Sequence, residues 1–548
     1  MNASQESALL LLARQYFQAR NADLAKKTLF KILQTNSNSS RANELLAHIE
    51  GALGNTTAAI DFLITACKQK NCSADALYNL GKYYVDSGQP LKAIDLLKNS
   101  ISKNYHFFES HHYLGLAFVK TFRFEKAIEE FKKAIVINPN SAESLNNLNN
   151  CLTALHKDAE AIFYISKACE LEQNNAIYLA NKGVTLHNLK RYEEALAAYE
   201  QAIHADANYA AAWSNMGNTL SALQKTAQAI TAYDHSIKID SNYFNAYWNK
   251  SLAQLLLGKC EEGLKNYEYR WLREGADTYL HSNIPKLTSL EEAVGKKILV
   301  WSEQGYGDTL QFCRYVPLLT QMRIEVVLET QAPLLPLLKD QFDCPVIQIG
   351  QAHGEVDYQI PLGSLPLLFK TRIDSIPANT PYLKVRDSKI AEWRAKLNLK
   401  LDKPNIGIAC SGNIKFDLEH GNTRPIPLEL LGTLSKSANL YLIQKEVRPS
   451  DQQYLDDHLE IVYLGPKIQD FEDSAAIIQN MDEIITIDTS LAHLAGALGK
   501  KMKVLLPWVP DWRWLLDRQD SPWYPNSTLY RQESMGDWGN VANRVVLG

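Results

Sequence analysis

Trp213-Ser-Asn-Met-Gly217, followed by Ala229 and Tyr233, decides the fold of the first half of this chain. A small residue at 217 and another at 229, each facing a large one, are what two closely crossing helices need. The same arrangement returns every thirty-four residues. With phase one at Glu6, Ser40, Ala74, Phe108, Ala142, Ala176, Ala210 and Phe244, residues 6–277 divide into eight units without an insertion. Phase twenty is then Ala25, Ala59, Ala93, Ala127, Ala161, Ala195, Ala229 and Gly263. Phase eight is Ala13, Ala47, Gly81, Gly115, Asn149, Gly183, Gly217 and Ser251, and phase twenty-four is large, as at Phe131, Tyr199 and Tyr233.

This pattern, with turns of the Pro139 type, resembles the tetratricopeptide repeat. The resemblance implies that each unit is a helix, turn and helix that cannot bury its apolar face alone. Eight of them then stack into a right-handed superhelix whose groove binds extended peptide or protein. Phase six, on the first helix of each unit, is Asn79, Asn147, Asn181, Asn215 and Asn249 in five of the eight. An amide can donate to and accept from a peptide backbone without reading its side chains, although asparagine is also an ordinary filler of a solvated helix face. The row is similar to the asparagine ladder of O-linked N-acetylglucosamine transferases, which implies an acceptor-binding role; here it is broken at Leu11, Leu45 and Tyr113. The period fails at phase twenty-seven of the eighth unit, where Arg270 replaces a small or aliphatic residue, and it is lost after Asp277.

Composition sets outer limits. Over 548 residues, 46% hydrophobic and 22% charged is ordinary for core-forming protein and excludes disordered, collagen-like and coiled-coil classes. Fifty-seven Lys and Arg against 61 Asp and Glu leave a net charge of -4, so no sequence-wide basic field exists for nucleic acid or anionic membrane. Eight scattered cysteines lack a C-x-x-C pair or zinc spacing, which predicts reduced thiols. The apolar run 8–13 has no positive flank, and no stretch is long enough for a membrane span, so a cytoplasmic protein is expected.

From Lys297 short β-rich runs alternate with helical stretches: Ile298–Trp301, Glu325–Glu329, Val346–Ile349 and Val356–Ile360, then, after Ile376-Pro-Ala-Asn-Thr-Pro381 and a helix near Ser388–Leu397, Asn405–Ala409, Asn439–Gln444, Glu460–Tyr463, Glu483–Ile487 and Lys503–Leu506. Such alternation predicts two Rossmann-like lobes of parallel strands with the ligand at their carboxyl ends.

Three strand ends carry chemistry. Trp301-Ser-Glu-Gln-Gly305-Tyr-Gly307-Asp308-Thr309 is a glycine-rich turn without dinucleotide spacing, in which Asp308 is either a helix cap or a general base. Ala409-Cys-Ser411-Gly412-Asn413-Ile-Lys415, continuing through His420-Gly-Asn-Thr-Arg424, offers two cations before a helix, either solvated or set for a diphosphate; Gln444-Lys445 adds another. Ile484 to Gly499 ends an apolar strand in Asp488-Thr489-Ser490, with His493 in the following helix, where an anion would meet unpaired N–H groups. Trp508, Trp512, Trp514 and Trp523 surround Arg513, as a sugar platform or as packing; Arg513 suits a phosphate or Asp511.

Gly307-Asp308, the Ser411-Gly412 turn, Gln444-Lys445, Asp488-Thr-Ser-Leu-Ala-His493, Pro510-Asp-Trp-Arg-Trp514 and Ser521-Pro-Trp-Tyr524 together look like bacterial repeat-plus-transferase proteins related to heptosyltransferases, which are inverting glycosyltransferases of GT-B fold. The resemblance implies an α-solenoid followed by an α/β GT-B half with two Rossmann-like lobes. Eight repeats would occupy 1–277, a linker 278–296, the first lobe 297–386 and a nucleotide-sugar lobe 387–548. It implies Asp308 as the base that deprotonates the acceptor. Gly307, Ser411, Lys415, Arg424, Gln444, Lys445, Asp488, Thr489, Ser490, His493 and Arg513 would hold the nucleotide sugar. With no Asp-x-Asp pair at a strand end, no metal is expected. Heptosyltransferases favour Asp-Thr-Gly where this chain has Asp-Thr-Ser. The activity expected is transfer of a sugar to Ser or Thr of a polypeptide, flagellin among the acceptors. A polysaccharide or lipid-linked glycan transferase, or a scaffold with a degenerate transferase half, are the alternatives.

Overall fold

The computed structural model describes residues 1–419 and 424–547. They divide into two compact units, Met1–Thr219 and Leu220–Gly548.

The first unit is a helical solenoid. Its paired helices begin with Ala3–Gln18 and Ala22–Thr35, then Ser40–Ala52 and Thr56–Cys67, and each later pair starts thirty-four residues further on, through Ala176–Asn188 and Tyr192–Ala205. The alanines at phase twenty, from Ala25 to Ala195, have no exposed surface. The glycines at phase eight are required by close approach. A methyl group on Gly81 would stand 2.7 Å from Leu97, one on Gly115 2.7 Å from Phe131, and one on Gly183 2.5 Å from Tyr199. Each partner is the phase-twenty-four residue of the same unit, so the small–large alternation seen in sequence is a packing contact within each helix pair. First helices of successive repeats also lie against one another, which places them on the inner side of the solenoid.

In the second unit, helices Thr226–Ile239, Phe244–Leu256 and Cys260–Tyr267 continue the repeat, and the last two pack with the α/β part. The expected repeat boundary at 277 therefore differs from the compact-unit boundary at 219. Arg270 supplies the reason. Its buried guanidinium donates to both oxygens of Glu303 at 2.7 and 3.0 Å, to Glu268 at 2.7 Å and to Ser364 at 2.7 Å, so the residue that breaks the period ties the last repeat to the next domain. The expected linker 278–296 is not free chain. Lys286 bridges to Gln359, the Leu287 N–H donates to the Gln359 carbonyl at 2.9 Å, and Leu287 and Ala293 are buried.

Strands β1 (Lys297–Trp301), β2 (Glu325–Thr330), β3 (Val346–Gln348) and β4 (Tyr358–Pro361) form a parallel sheet in the order β3-β2-β1-β4. Strands β5 (Asn405–Ala409), β6 (Asn439–Leu442), β7 (Ile461–Tyr463), β8 (Glu483–Ile487), β9 (Met502–Leu506) and β10 (Ser527–Arg531) form a second, in the order β10-β9-β8-β5-β6-β7, again all parallel. Counted from β5, this is the doubly wound order whose direction reverses between β5 and β8. The fourth strand starts at Tyr358 rather than Val356, and β10 is an edge strand absent from the sequence reading. Its Ser-Thr-Leu-Tyr-Arg carries only one aliphatic residue. The central strands β1, β5 and β8 are buried almost throughout, the signature of parallel strands covered on both faces.

Candidate functional site

The crevice at a doubly wound sheet lies at the carboxyl ends of the strands where the order reverses. In the second sheet those ends are Ala409-Cys410-Ser411 after β5 and Asp488-Thr489 after β8. Thr489 caps the helix Ser490–Ala497, its hydroxyl accepting from the Leu491 N–H at 3.3 Å. Gly412 lies between the two turns: a methyl group there would stand 3.3 Å from Thr489 and 3.7 Å from Arg424. Arg424 spans them, donating to the Asp488 carbonyl at 3.3 Å and to Asp417 at 2.7 Å. The other Asp417 oxygen is buried without a hydrogen-bond partner among the described residues. His420 to Thr423, the middle of the expected cation-bearing segment, lies outside the described residues. Lys415, in the short helix Ile414–Glu419 after β5, and Lys445, on the turn after β6, are exposed.

Gln444, expected to contact the ligand, brackets two strand ends. Its carbonyl accepts from the Cys410 and Ser411 N–H groups at 2.7 and 3.1 Å, and its amide donates to the Ser411 hydroxyl at 2.7 Å and the Glu446 carbonyl at 2.8 Å. With both ends used internally, it fixes the ends of β5 and β6 together, and the Ser411 hydroxyl is occupied with it.

The turn after β1 comes from the other lobe. Glu303 is locked by Arg270 and by the Gly363 N–H at 2.7 Å, Gln304 accepts from the buried Tyr267 hydroxyl at 2.9 Å, and the Gln304 carbonyl accepts from Gln331 at 3.0 Å. The last repeat therefore holds the turn that carries Asp308. The helix Tyr306–Phe312 packs on Ser490–Ala497, and Gly307 makes this possible: a methyl group there would stand 2.7 Å from the His493 ring. The sequence reading counted Gly307 among ligand-binding residues; in the structure it is the contact point of the two strand-end helices.

At that junction Asp308, half-buried, accepts from the Gly305 N–H at 2.9 Å and pairs with Arg513. Arg513 also donates to Asp511 at 2.9 Å and to Gln311 at 2.5 Å. Of the two partners expected for it, a phosphate or Asp511, the structure shows Asp511, and the guanidinium is a buried link between lobes, positioned on the candidate base. The Gln311 amide nitrogen is buried with no hydrogen-bond partner among the described residues. Burial pushes the Asp308 carboxyl above the ordinary carboxylate range, with Arg513 opposing. Asp488, only 6% exposed, is pushed up to about 6 by burial and by nearby Asp511, while the Trp514 indole, Arg424 and Arg513 pull the other way. His493 donates or accepts at Tyr524 across 2.8 Å and lies 3.9 Å from Asp488; burial, then the Arg513 and Arg314 charges, hold it well below the usual histidine range and hence neutral. Two carboxylates of raised basicity and a neutral imidazole at facing strand ends are equipped to take a proton from a bound hydroxyl.

Trp512, Trp514 and Trp523 are buried, so three of the four clustered tryptophans are packing rather than an open platform. The sequence reading missed Arg314. This buried cation donates to the carbonyls of Gln311 and Trp523 at 2.8 and 3.0 Å and to the Tyr382 hydroxyl at 2.9 Å, and lies over the rings of Tyr382, Tyr524 and Trp523. Its only sequence signal was a lone arginine in an otherwise apolar helix.

The asparagine row falls on first helices and is half-buried. In the first unit Asn79, Asn147, Asn181 and Asn215 carry it, and the Asn181 amide donates to Asn146 at 2.7 Å. Asn249 belongs to the second unit. Among the described residues, no group of three or more His, Cys, Asp or Glu is placed to hold a metal ion, and no helix is long and apolar enough to cross a membrane.

Models of the tetratricopeptide repeat match residues 108–141, 176–209 and 210–243, each beginning at a phase-one residue. Protein FlbA of Caulobacter vibrioides (strain ATCC 19089 / CIP 103742 / CB 15) is 23% identical over 328 residues, 53% of this chain and 52% of FlbA, so the chain spans about half the length of that curated relative. Among solved structures, YrrB, described as a TPR protein with an unusual peptide-binding site, is 20% identical, covering 35% of this chain and 98% of its own with a TM-score of 0.31. The APC/C hetero-tetramer Cut9-Hcn1 is 17% identical, covering 50% and 55%, with a TM-score of 0.36. The repeats are thus tetratricopeptide repeats, an architecture suited to binding protein.

Proposed function

We propose that this chain is a protein glycosyltransferase of GT-B type, in which the repeats present a polypeptide and the α/β unit binds a nucleotide sugar. The observation that carries the reading is the meeting of Asp308, from the end of β1, with Arg513, Asp488 and His493 beside the reversal point of the second sheet. One proton acceptor on one lobe faces a helix start and cations on the other, as inverting transfer requires.

In this mechanism a Ser or Thr hydroxyl oxygen of the acceptor attacks the anomeric carbon. Its proton passes to the Asp308 carboxylate as the bond from that carbon to the diphosphate oxygen breaks, and the nucleoside diphosphate departs with the electron pair. Arg513 keeps Asp308 ionised before attack. Arg424, Lys415, Lys445 and the N–H groups at Thr489 and Ser490 offset the charge that grows on the leaving diphosphate. Flagellin remains the proposed acceptor, by resemblance to repeat-transferase proteins. Removal of a positioned base typically lowers a rate by about 10²–10⁴-fold. Asp308→Asn is therefore expected to lower sugar transfer to a polypeptide by at least about 100-fold while leaving nucleotide binding intact. Turnover within a few-fold of wild type would sink the assignment. Transfer to glycan but not to polypeptide would favour the alternative in which the repeats only recruit partners.

A further inference from the structure

The junction of the second and third repeats carries a feature unrelated to sugar transfer. In six of the first seven units, the second helix ends at phase thirty, as at Thr35, Lys103, Ile137, Leu171, Ala205 and Ile239. In the second unit it stops two residues early, at Cys67, and residues 68–73 form a turn before the helix Ala74–Asp86. Cys72, in that turn, places its sulfur 2.9 Å from that of Cys67. Both cysteines are free thiols, Cys67 half-buried and Cys72 buried.

The turn is held in this shape from outside. Glu44, on the first helix of the same repeat, accepts from the Ser73 N–H at 3.0 Å and from the Ser40 hydroxyl at 2.8 Å. The Cys72 N–H donates to the Gln69 carbonyl at 3.1 Å, and Lys103 reaches the Lys70 carbonyl at 3.5 Å. The hydrogen bond shared with Cys67 draws the Cys72 thiol below the ordinary thiol range, with burial opposing, so one sulfur of the pair is favoured as thiolate. A disulfide of about 2.05 Å requires the sulfurs to approach by less than about 1 Å.

We propose that Cys67 and Cys72 form a reversible disulfide site, with a hydroperoxide as the oxidant class. One thiolate attacks a peroxide oxygen, giving a sulfenic acid and releasing an alcohol, or water from hydrogen peroxide. The second sulfur then attacks the sulfenic sulfur and displaces water. The two thiols lose two electrons and two protons, and the peroxide O–O bond takes up both electrons. The bridge closes the 67–72 turn and fixes the junction of the second and third repeats.

The test uses the full chain, treated with hydrogen peroxide and then alkylated. Trypsin cuts after Lys68 and Lys70, so the two cysteines fall on separate peptides unless bridged. The expected result is one peptide pair joined through Cys67 and Cys72, a thiol count falling from eight to six, restoration by dithiothreitol, and loss of the joined pair in Cys72→Ser. Separate peptides carrying alkylated or over-oxidised Cys67 and Cys72, or a first bridge between other cysteines, overturn the proposal. Because the primary measurement is on wild-type protein, its outcome does not depend on any variant folding.

Discussion

At the scale of single residues, Asp308 is set by two opposing influences: burial raises its proton affinity and Arg513 lowers it. If Asp308 is the base, the rate rises with pH as its carboxyl ionises, and losing the guanidinium shifts that rise upward. Arg513→Gln is accordingly expected to depress transfer at neutral pH and recover part of it in more alkaline buffer, as read from a pH–rate profile. A profile unmoved on its acid side would separate Arg513 from the base. Asp488 makes a prediction about stability. Its carboxyl binds its proton more tightly folded, at about 6, than at its ordinary value of 3.8. The stabilisation linked to that proton is complete below about pH 4 and lost as pH rises through 6. Asp488→Asn should thus stabilise the α/β unit by up to a few kcal/mol at pH 7.5 and by little at pH 4, measured by denaturant unfolding at the two values. An equal change at both would show that Asp488 is not held above its ordinary range.

Among elements, the pairing of the last repeat with the β1 turn governs the site. Arg270 is buried between Glu303 and Glu268, and Glu268 is held down at about 2: burial alone would raise it, and the Arg270 and Lys286 charges overcome that. Replacing the cation leaves two carboxylates facing each other without it, a change that typically costs about 3–5 kcal/mol. Arg270→Met is expected to lower the unfolding midpoint of the second unit and leave that of the first unchanged. A variant as stable as wild type would mean the last repeat does not hold this turn. The sequence announced the position as a break in the period, but not its cause, because the partners lie 33 and 94 residues away and share no local pattern. The same holds for Asp308 and Arg513, 205 residues apart. The repeat itself was legible because Gly81, Gly115 and Gly183 each meet a partner sixteen residues on, within one helix pair, as Gly183 meets Tyr199. The bracket made by Gln444 was not legible because an amide at a strand end looks alike whether it meets a ligand or two backbone N–H groups. The edge strand β10 escaped because a strand with one neighbour needs little apolar sequence.

For the whole molecule, tetratricopeptide repeats and a two-sheet parallel α/β unit occur in one chain, and the account joins them as acceptor holder and sugar-transfer centre. That union depends on the α/β unit taking a nucleotide. The direct measurement is a thermal-shift panel of UDP, GDP, ADP, CMP and their common sugar conjugates against the full chain. A ligand present at about one hundred times its dissociation constant adds roughly 2.7 kcal/mol to the unit that binds it, a shift readable in degrees. One nucleotide class is expected to raise the transition of the α/β unit and leave that of the solenoid in place. If none moves either transition, the transferase reading is contradicted and a protein-binding scaffold takes its place.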